Sequence, residues 1–99
     1  MLNIQKTNKD GALTVALEGR LDTATSPQLE SELNSALPGV TSLVFDLEKL
    51  EYISSAGLRV LLTAQKAMNK QGAMQIVNAN EIVKEIFDIT GFMDILTVV

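Results

Sequence analysis

The chain has 99 residues, of which 46% are apolar and 20% charged, enough to build one core without covalent staples and too short for two. It has no cysteine and no histidine, which excludes disulfides, thiolate nucleophiles, cysteine-based zinc sites and the usual neutral-pH base, and with them most enzyme mechanisms. Lys plus Arg is 8 against 12 Asp plus Glu, a net charge of -4 and the wrong sign for gripping a phosphate backbone, and no apolar run is long enough for a bilayer span or a secretory core. The expectation is a single cytoplasmic domain, residues 1–99, with no nucleic acid partner and no direct membrane insertion.

Met1 to Thr7 alternates loosely, Leu2 and Ile4 against Asn3 and Gln5, until Asn8-Lys9-Asp10-Gly11 breaks it with residues that tolerate tight turns. Leu13 to Glu18 then sets Leu13, Val15 and Leu17 on one face and ends at Gly19-Arg20, so the two segments predict a hairpin. Thr25-Ser26-Pro27-Gln28 carries helix-start signals: a cap, a proline suited to the first turn and a glutamine able to reach back. Leu29, Leu33, Ala36 and Leu37 recur at helical spacing until Pro38-Gly39 stops them. Thr41 to Leu47 reads as a strand buried on both faces.

The longest helix runs from Ser54-Ser55 to Lys70, with Leu58, Leu61, Leu62, Ala64, Gln65 and Met68 along one side and Gln71-Gly72 at its end. Ala73 to Val77 is a strand, and Asn78 or Asn80 caps a helix from Glu81 to Thr90 whose apolar stripe is Ile82, Val83, Ile86, Phe87 and Ile89. Gly91 closes that helix, and Met93 to Val99 predicts a short last strand. Strands alternating with helices over short loops imply right-handed crossovers and parallel neighbours. The fold class is therefore α/β: a mixed, mostly parallel sheet of four to five strands, an N-terminal β-hairpin at its edge and about three main helices.

Gly19, Gly39, Gly57, Gly72 and Gly91 are isolated, and no phosphate-cradling loop runs through them. The pairs Glu30/Glu32 and Glu48/Glu51 read as solvated residues, and an enzyme built on Asp46, Glu48 and Ser55 lacks any base that spacing singles out. Asp46 to Leu62 carries a strand end, a loop and a helix start, and a helix start exposes unpaired amide donors and partial positive charge. A hydroxyl there sits where a phosphate is accommodated; a serine there also serves simply as a cap.

This segment resembles the signature of STAS domains, the anti-sigma-factor antagonist family. In that signature Asp-Leu, four or five residues and an aromatic or apolar pair lead to Asp-Ser-(Ser/Ala/Thr)-Gly-Leu at the head of a helix. The matching residues are Asp46-Leu47, Tyr52-Ile53 and Ser54-Ser55-Ala56-Gly57-Leu58. Leu17-Glu18-Gly19-Arg20-Leu21-Asp22 resembles the family's second strand and the turn after it, and Phe87-Asp88-Ile89-Thr90-Gly91-Phe92 resembles the end of its late helix.

The resemblance implies a regulator that is not an enzyme and needs no cofactor or metal. In such proteins the unmodified domain binds an anti-sigma factor serine kinase and releases the sigma factor. Phosphorylation of the serine after the signature aspartate switches binding off, and a PP2C-type phosphatase reverses it. Carried over, the phosphoacceptor is Ser55, with Ser54 in the aspartate's place, a departure that removes one negative charge beside the hydroxyl. The expected partner-facing edge is Ser54, Ser55 and Gly57 with exposed parts of a loop from Glu48 to Ile53, and Asp22 and Arg59 as peripheral contacts. Asp22 is otherwise a turn former, Arg59 a solvent-facing helix residue, and Tyr52 and Ile53 either anchors or core plugs. The alternative reading is a STAS accessory subunit of a lipid-trafficking ABC transporter that docks on the ATPase.

Overall fold

A two-residue turn opens the sheet. Strands β1 (Leu2–Lys9) and β2 (Ala12–Leu21) pair antiparallel with Lys9 opposite Ala12, and between them Asp10 and Gly11 both take positive φ, 54° and 88°. Such a turn has the twist of the strands it joins. The computed structural model describes residues 2–99, so Met1, expected at the head of the first strand, lies outside the described residues.

The chain continues through α1 (Ser26–Ala36), β3 (Ser42–Ile53), α2 (Ser55–Met68), β4 (Ala73–Val77) and α3 (Glu81–Ile89) to a 3-10 turn at Phe92–Asp94. The sheet order is β1-β2-β3-β4, with β2–β3 and β3–β4 parallel. Each crossover steps one strand in the same direction, and right-handed crossovers of that kind put both helices on the same face. Leu13, Val15, Leu17, Leu43, Phe45, Leu47, Met74 and Ile76 accordingly join one buried core. On the opposite face Asn3, Gln5, Thr14, Glu18 and Gln75 are exposed, and Val44 and Asp46 half-buried. The expectation that Thr41 to Leu47 is buried on both faces is thus corrected: its residues alternate because the helices cover one side only.

β3 also runs well past Leu47, to Ile53. Ala16 pairs with Asp46 but Glu18 with Lys49, and Gly19 pairs with Leu50 but Arg20 with Tyr52, so β3 carries two residues without a counterpart on β2. The bulges shift its buried positions from Leu43, Phe45 and Leu47 to Leu50 and Ile53, which breaks the period of two that marks a strand in sequence. The expected loop from Glu48 to Ile53 is therefore strand.

Helix α1 starts by other bonds than those expected. Gln28 donates its side-chain amide to the Leu2 carbonyl (3.2 Å) instead of reaching back, and the Thr25 side chain makes no cap bond to the helix. At the far end of α2 the Gly72 N–H returns to the Met68 carbonyl at 2.7 Å. A Cβ on Gly72 would lie 1.8 Å from the Thr41 carbonyl oxygen, so the α2–β4 turn passes backbone directly against backbone. Asn80 caps α3: its Oδ1 accepts the Val83 N–H at 2.8 Å while its Nδ2 donates to the Leu50 carbonyl at 2.9 Å. The expected last strand is reduced to one bridge between Ile76 and Val98, because the chain first coils at Phe92–Asp94 and then buries Leu96 in the core.

Candidate functional site at the head of the long helix

β2 and β3 run parallel and end together, Leu21 opposite Ile53, so the loops that begin at Asp22 and Ser54 leave the sheet side by side. Open α/β sheets place their sites outside these carboxyl ends. The Ser54 N–H donates to the Leu21 carbonyl at 2.8 Å and fixes one loop to the other.

Ser54 is the extended residue before α2, at φ -100° and ψ 177°. The Leu58 N–H donates to its carbonyl at 3.0 Å, but its hydroxyl makes no cap bond and is buried without a partner. Ser55 is the first helical residue and is exposed. It stands at the positive end of the helix, among first-turn N–H groups that have no intrahelical acceptor.

Gly57 is buried. A Cβ there would lie 2.7 Å from Leu21 Cγ and 2.8 Å from Ile53 Cγ1, so the missing side chain lets α2 settle onto the last residues of β2 and β3. Gly57 thus sets the height of the helix beneath the exposed residues of the edge at which it was expected.

Asp22 organises the adjacent loop. Its Oδ1 accepts the N–H groups of Ala24 (3.0 Å) and Thr25 (3.1 Å), and its own N–H donates to the Thr25 hydroxyl oxygen (2.9 Å). That hydroxyl in turn shares its one proton between the Arg20 carbonyl (2.8 Å) and Asp22 Oδ1 (3.2 Å). The Thr25 N–H is the largest cause holding the carboxyl below the ordinary aspartate value of 3.8; partial burial opposes it, and the Thr25 hydroxyl and Ala24 N–H reinforce it. The turn-forming reading of Asp22 therefore has a complete set of bonds, with one carboxylate edge half-exposed beside them.

Arg20 lies 4.6 Å from the centroid of the Tyr52 ring and 4.0 Å from the Asp22 carboxylate, covering one flank of the loop. Ile53 is a core residue, whereas Tyr52 is half-buried beneath Arg20. Arg59 is exposed one helical turn after Ser55. With Thr23, Pro27, Glu30 and Ala56 it lines a shallow depression of about 160 Å³ between the first turns of α1 and α2. Glu48 and Lys49 are not at this edge. They line a separate depression with Asn3, Gln5, Glu18 and Asp46 on the helix-free face of the sheet.

The structure thus brings Asp22, Ser54, Ser55 and Arg59 to one end of the sheet, with Gly57 beneath. Sequence reasoning missed Thr25 as the partner of Asp22, although Asp-x-x-Thr is a spacing at which such turns close. It also missed Leu21 as the floor under Gly57, for which no local signal exists because the two meet across the fold. Among the described residues no cluster of three acidic groups that could hold a metal ion is present, and no helix is long and apolar enough to cross a membrane.

An exposed serine at the head of the central helix, on a sheet with its helices on one face, has a counterpart among known domains: the STAS domain profile matches residues 3–99, and the chain belongs to the STAS domain family. Among its relatives, a candidate anti-sigma factor antagonist of Bordetella bronchiseptica, BtrV, is 41% identical over 91 residues, covering 90% of this chain and 78% of that one. The anti-sigma-B factor antagonist of Staphylococcus aureus is 31% identical over 99 residues, covering 98% and 92%. Solved structures share the fold. An anti-sigma factor antagonist from Mycobacterium paratuberculosis superposes with a TM-score of 0.90 at 22% identity, over 99% of this chain and 85% of that one. SpoIIAA in its unphosphorylated form superposes with a TM-score of 0.77 at 17% identity, over 98% and 87%.

Proposed function

We propose that this chain is a cytoplasmic anti-sigma factor antagonist that works by partner switching. Its unphosphorylated form binds an anti-sigma factor serine kinase through the Ser55 edge and frees the sigma factor. Phosphorylation of Ser55 switches binding off, and a PP2C-type phosphatase restores it. The names of the curated relatives favour this reading over a transporter subunit.

One observation carries the proposal: of the two adjacent serines, Ser55 is exposed at the first position of α2, while the Ser54 hydroxyl is sealed. A kinase reaches only the former. A phosphate on Ser55 adds roughly -1.5 to -2 charge at a site whose first-turn amides and helix dipole favour an anion, so the fold endures it. At a docked interface the same group must lose its water or face partner carboxylates, which changes affinity by orders of magnitude. Arg59, at i+4, sits where a helix pairs an anion with a cation, and Ser54 in place of aspartate spares the phosphate a neighbouring carboxylate.

The test is to incubate the protein with its cognate kinase and ATP and map the phosphate by mass spectrometry. The label is expected on Ser55. Ser55→Ala is expected to fold, bind the kinase and take no phosphate, and Ser55→Asp to bind about tenfold more weakly or worse. A label confined to other residues, or a phosphorylated protein that binds its kinase undiminished, overturns the assignment.

A further inference from the structure

Helix α3 buries only part of its apolar surface. Val83 and Phe87 face the core and are 0% exposed, whereas Ile82 and Ile89 stand exposed in a second stripe joined by Ile86, which is half-buried against the core. Ile82 is 59% and Ile89 74% exposed, and Met93 in the turn that follows is 41% exposed. Large aliphatic side chains aligned in this way mark an interaction surface more often than an accident of composition.

The rim identifies the occupant. At about 100° per residue, Glu85, Glu81 and Asp88 fall within about 60° of one another on the solvent side of Ile82 and Ile89, with Lys84 beyond them. All are exposed, so three carboxylates flank the stripe on its solvent side, and the one ammonium of the helix lies on the far side of them. A second copy of the chain would set carboxylate against carboxylate, and an anionic lipid surface would do the same. A protein helix whose apolar stripe is flanked by Lys or Arg complements both the isoleucines and the rim. We propose that the Ile82–Ile86–Ile89 stripe with Met93 is a second docking surface, for a basic amphipathic helix of a protein partner. It is built on α3, which packs on β3, whereas the Ser55 edge is built on α1 and α2, which pack on each other. The two surfaces stand or fall independently.

The chain has no tryptophan, so a synthetic amphipathic helix of leucine and lysine carrying one tryptophan reports its own binding by fluorescence. Saturable, salt-sensitive binding is expected, with amide shifts in the NMR spectrum centred on residues 82–95. Ile82→Ser combined with Ile89→Ser is expected to weaken it by about tenfold, and Glu85→Lys with Asp88→Lys by about threefold to tenfold. Because all four side chains are exposed, these variants keep the wild-type unfolding midpoint, and should the serine pair unfold, the lysine pair carries the same test. A leucine–glutamate helix with the same apolar stripe is expected not to bind. Equal binding of the two helices, no binding of the lysine helix or shifts centred elsewhere overturns the proposal. So does self-association, or attachment to phosphatidylglycerol vesicles, that the serine pair abolishes.

Discussion

Two helices that pack on the same sheet begin in opposite ways. Asn80 closes the start of α3 with both ends of its amide, one on the Val83 N–H and the other on the Leu50 carbonyl, so cap and sheet are joined by one side chain. The start of α2 has nothing comparable, since the Ser54 hydroxyl makes no cap bond and α2 is seated instead by Gly57 resting on Leu21 and Ile53. A side-chain cap occupies one of the first-turn amide donors of a helix; a start held by packing leaves that donor open as well. The first arrangement ties the helix start to the sheet by hydrogen bonds, and the second leaves the helix start beside Ser55 uncapped.

Removing what holds each start should separate the two cases. Gly57→Ala forces a Cβ to within 3 Å of the Leu21 and Ile53 side chains and is expected to cost about 1–3 kcal/mol, read by urea unfolding. A neutral result would mean that α2 is not seated by this contact. Asn80→Ala loses both the cap and the bond to the Leu50 carbonyl, with an expected loss of about 1–2 kcal/mol by the same measurement. Ser54→Ala, at the equivalent position of α2, is expected to change stability by less than about 0.5 kcal/mol, because there is no hydroxyl bond to lose. If the serine costs as much as the asparagine, the contrast between the starts disappears.

The start of α1 sharpens the comparison through pH. Asp22 is held below 3.8 by the Thr25 N–H first, so its contribution to stability is complete above that value and is lost as pH falls through the depressed folded value. Asp22→Asn should flatten the acid limb of the stability curve below pH 3.8, and carboxyl NMR should find a midpoint for Asp22 below 3.8 in the folded protein. A midpoint at or above the ordinary value would mean that the loop bonds are not made in solution.

The hairpin and the start of α3 were legible in sequence because both are fixed locally, by Asp10-Gly11 and by Asn80. The second half of β3 was hidden for a definite reason: two bulges move its buried residues to spacings of three, at Leu47, Leu50 and Ile53, and a search for alternation stops at the first. Val98 and its neighbours have strand propensity, yet only one bridge forms there because the chain first coils at Phe92–Asp94 and then commits Leu96 to the core. Of the site, the position of Ser55 at a helix start was readable. The separate fates of Ser54, Gly57 and Glu48 were not, since each is decided by elements distant in sequence.

Solvent accessibility and freedom to vary part company at Gly72. The residue lies on the surface, yet the Thr41 carbonyl oxygen occupies the space within 1.8 Å of where any side chain would have to begin. A library of every substitution along this chain would therefore find a position as intolerant as the centre of the hydrophobic interior, sitting in plain contact with water.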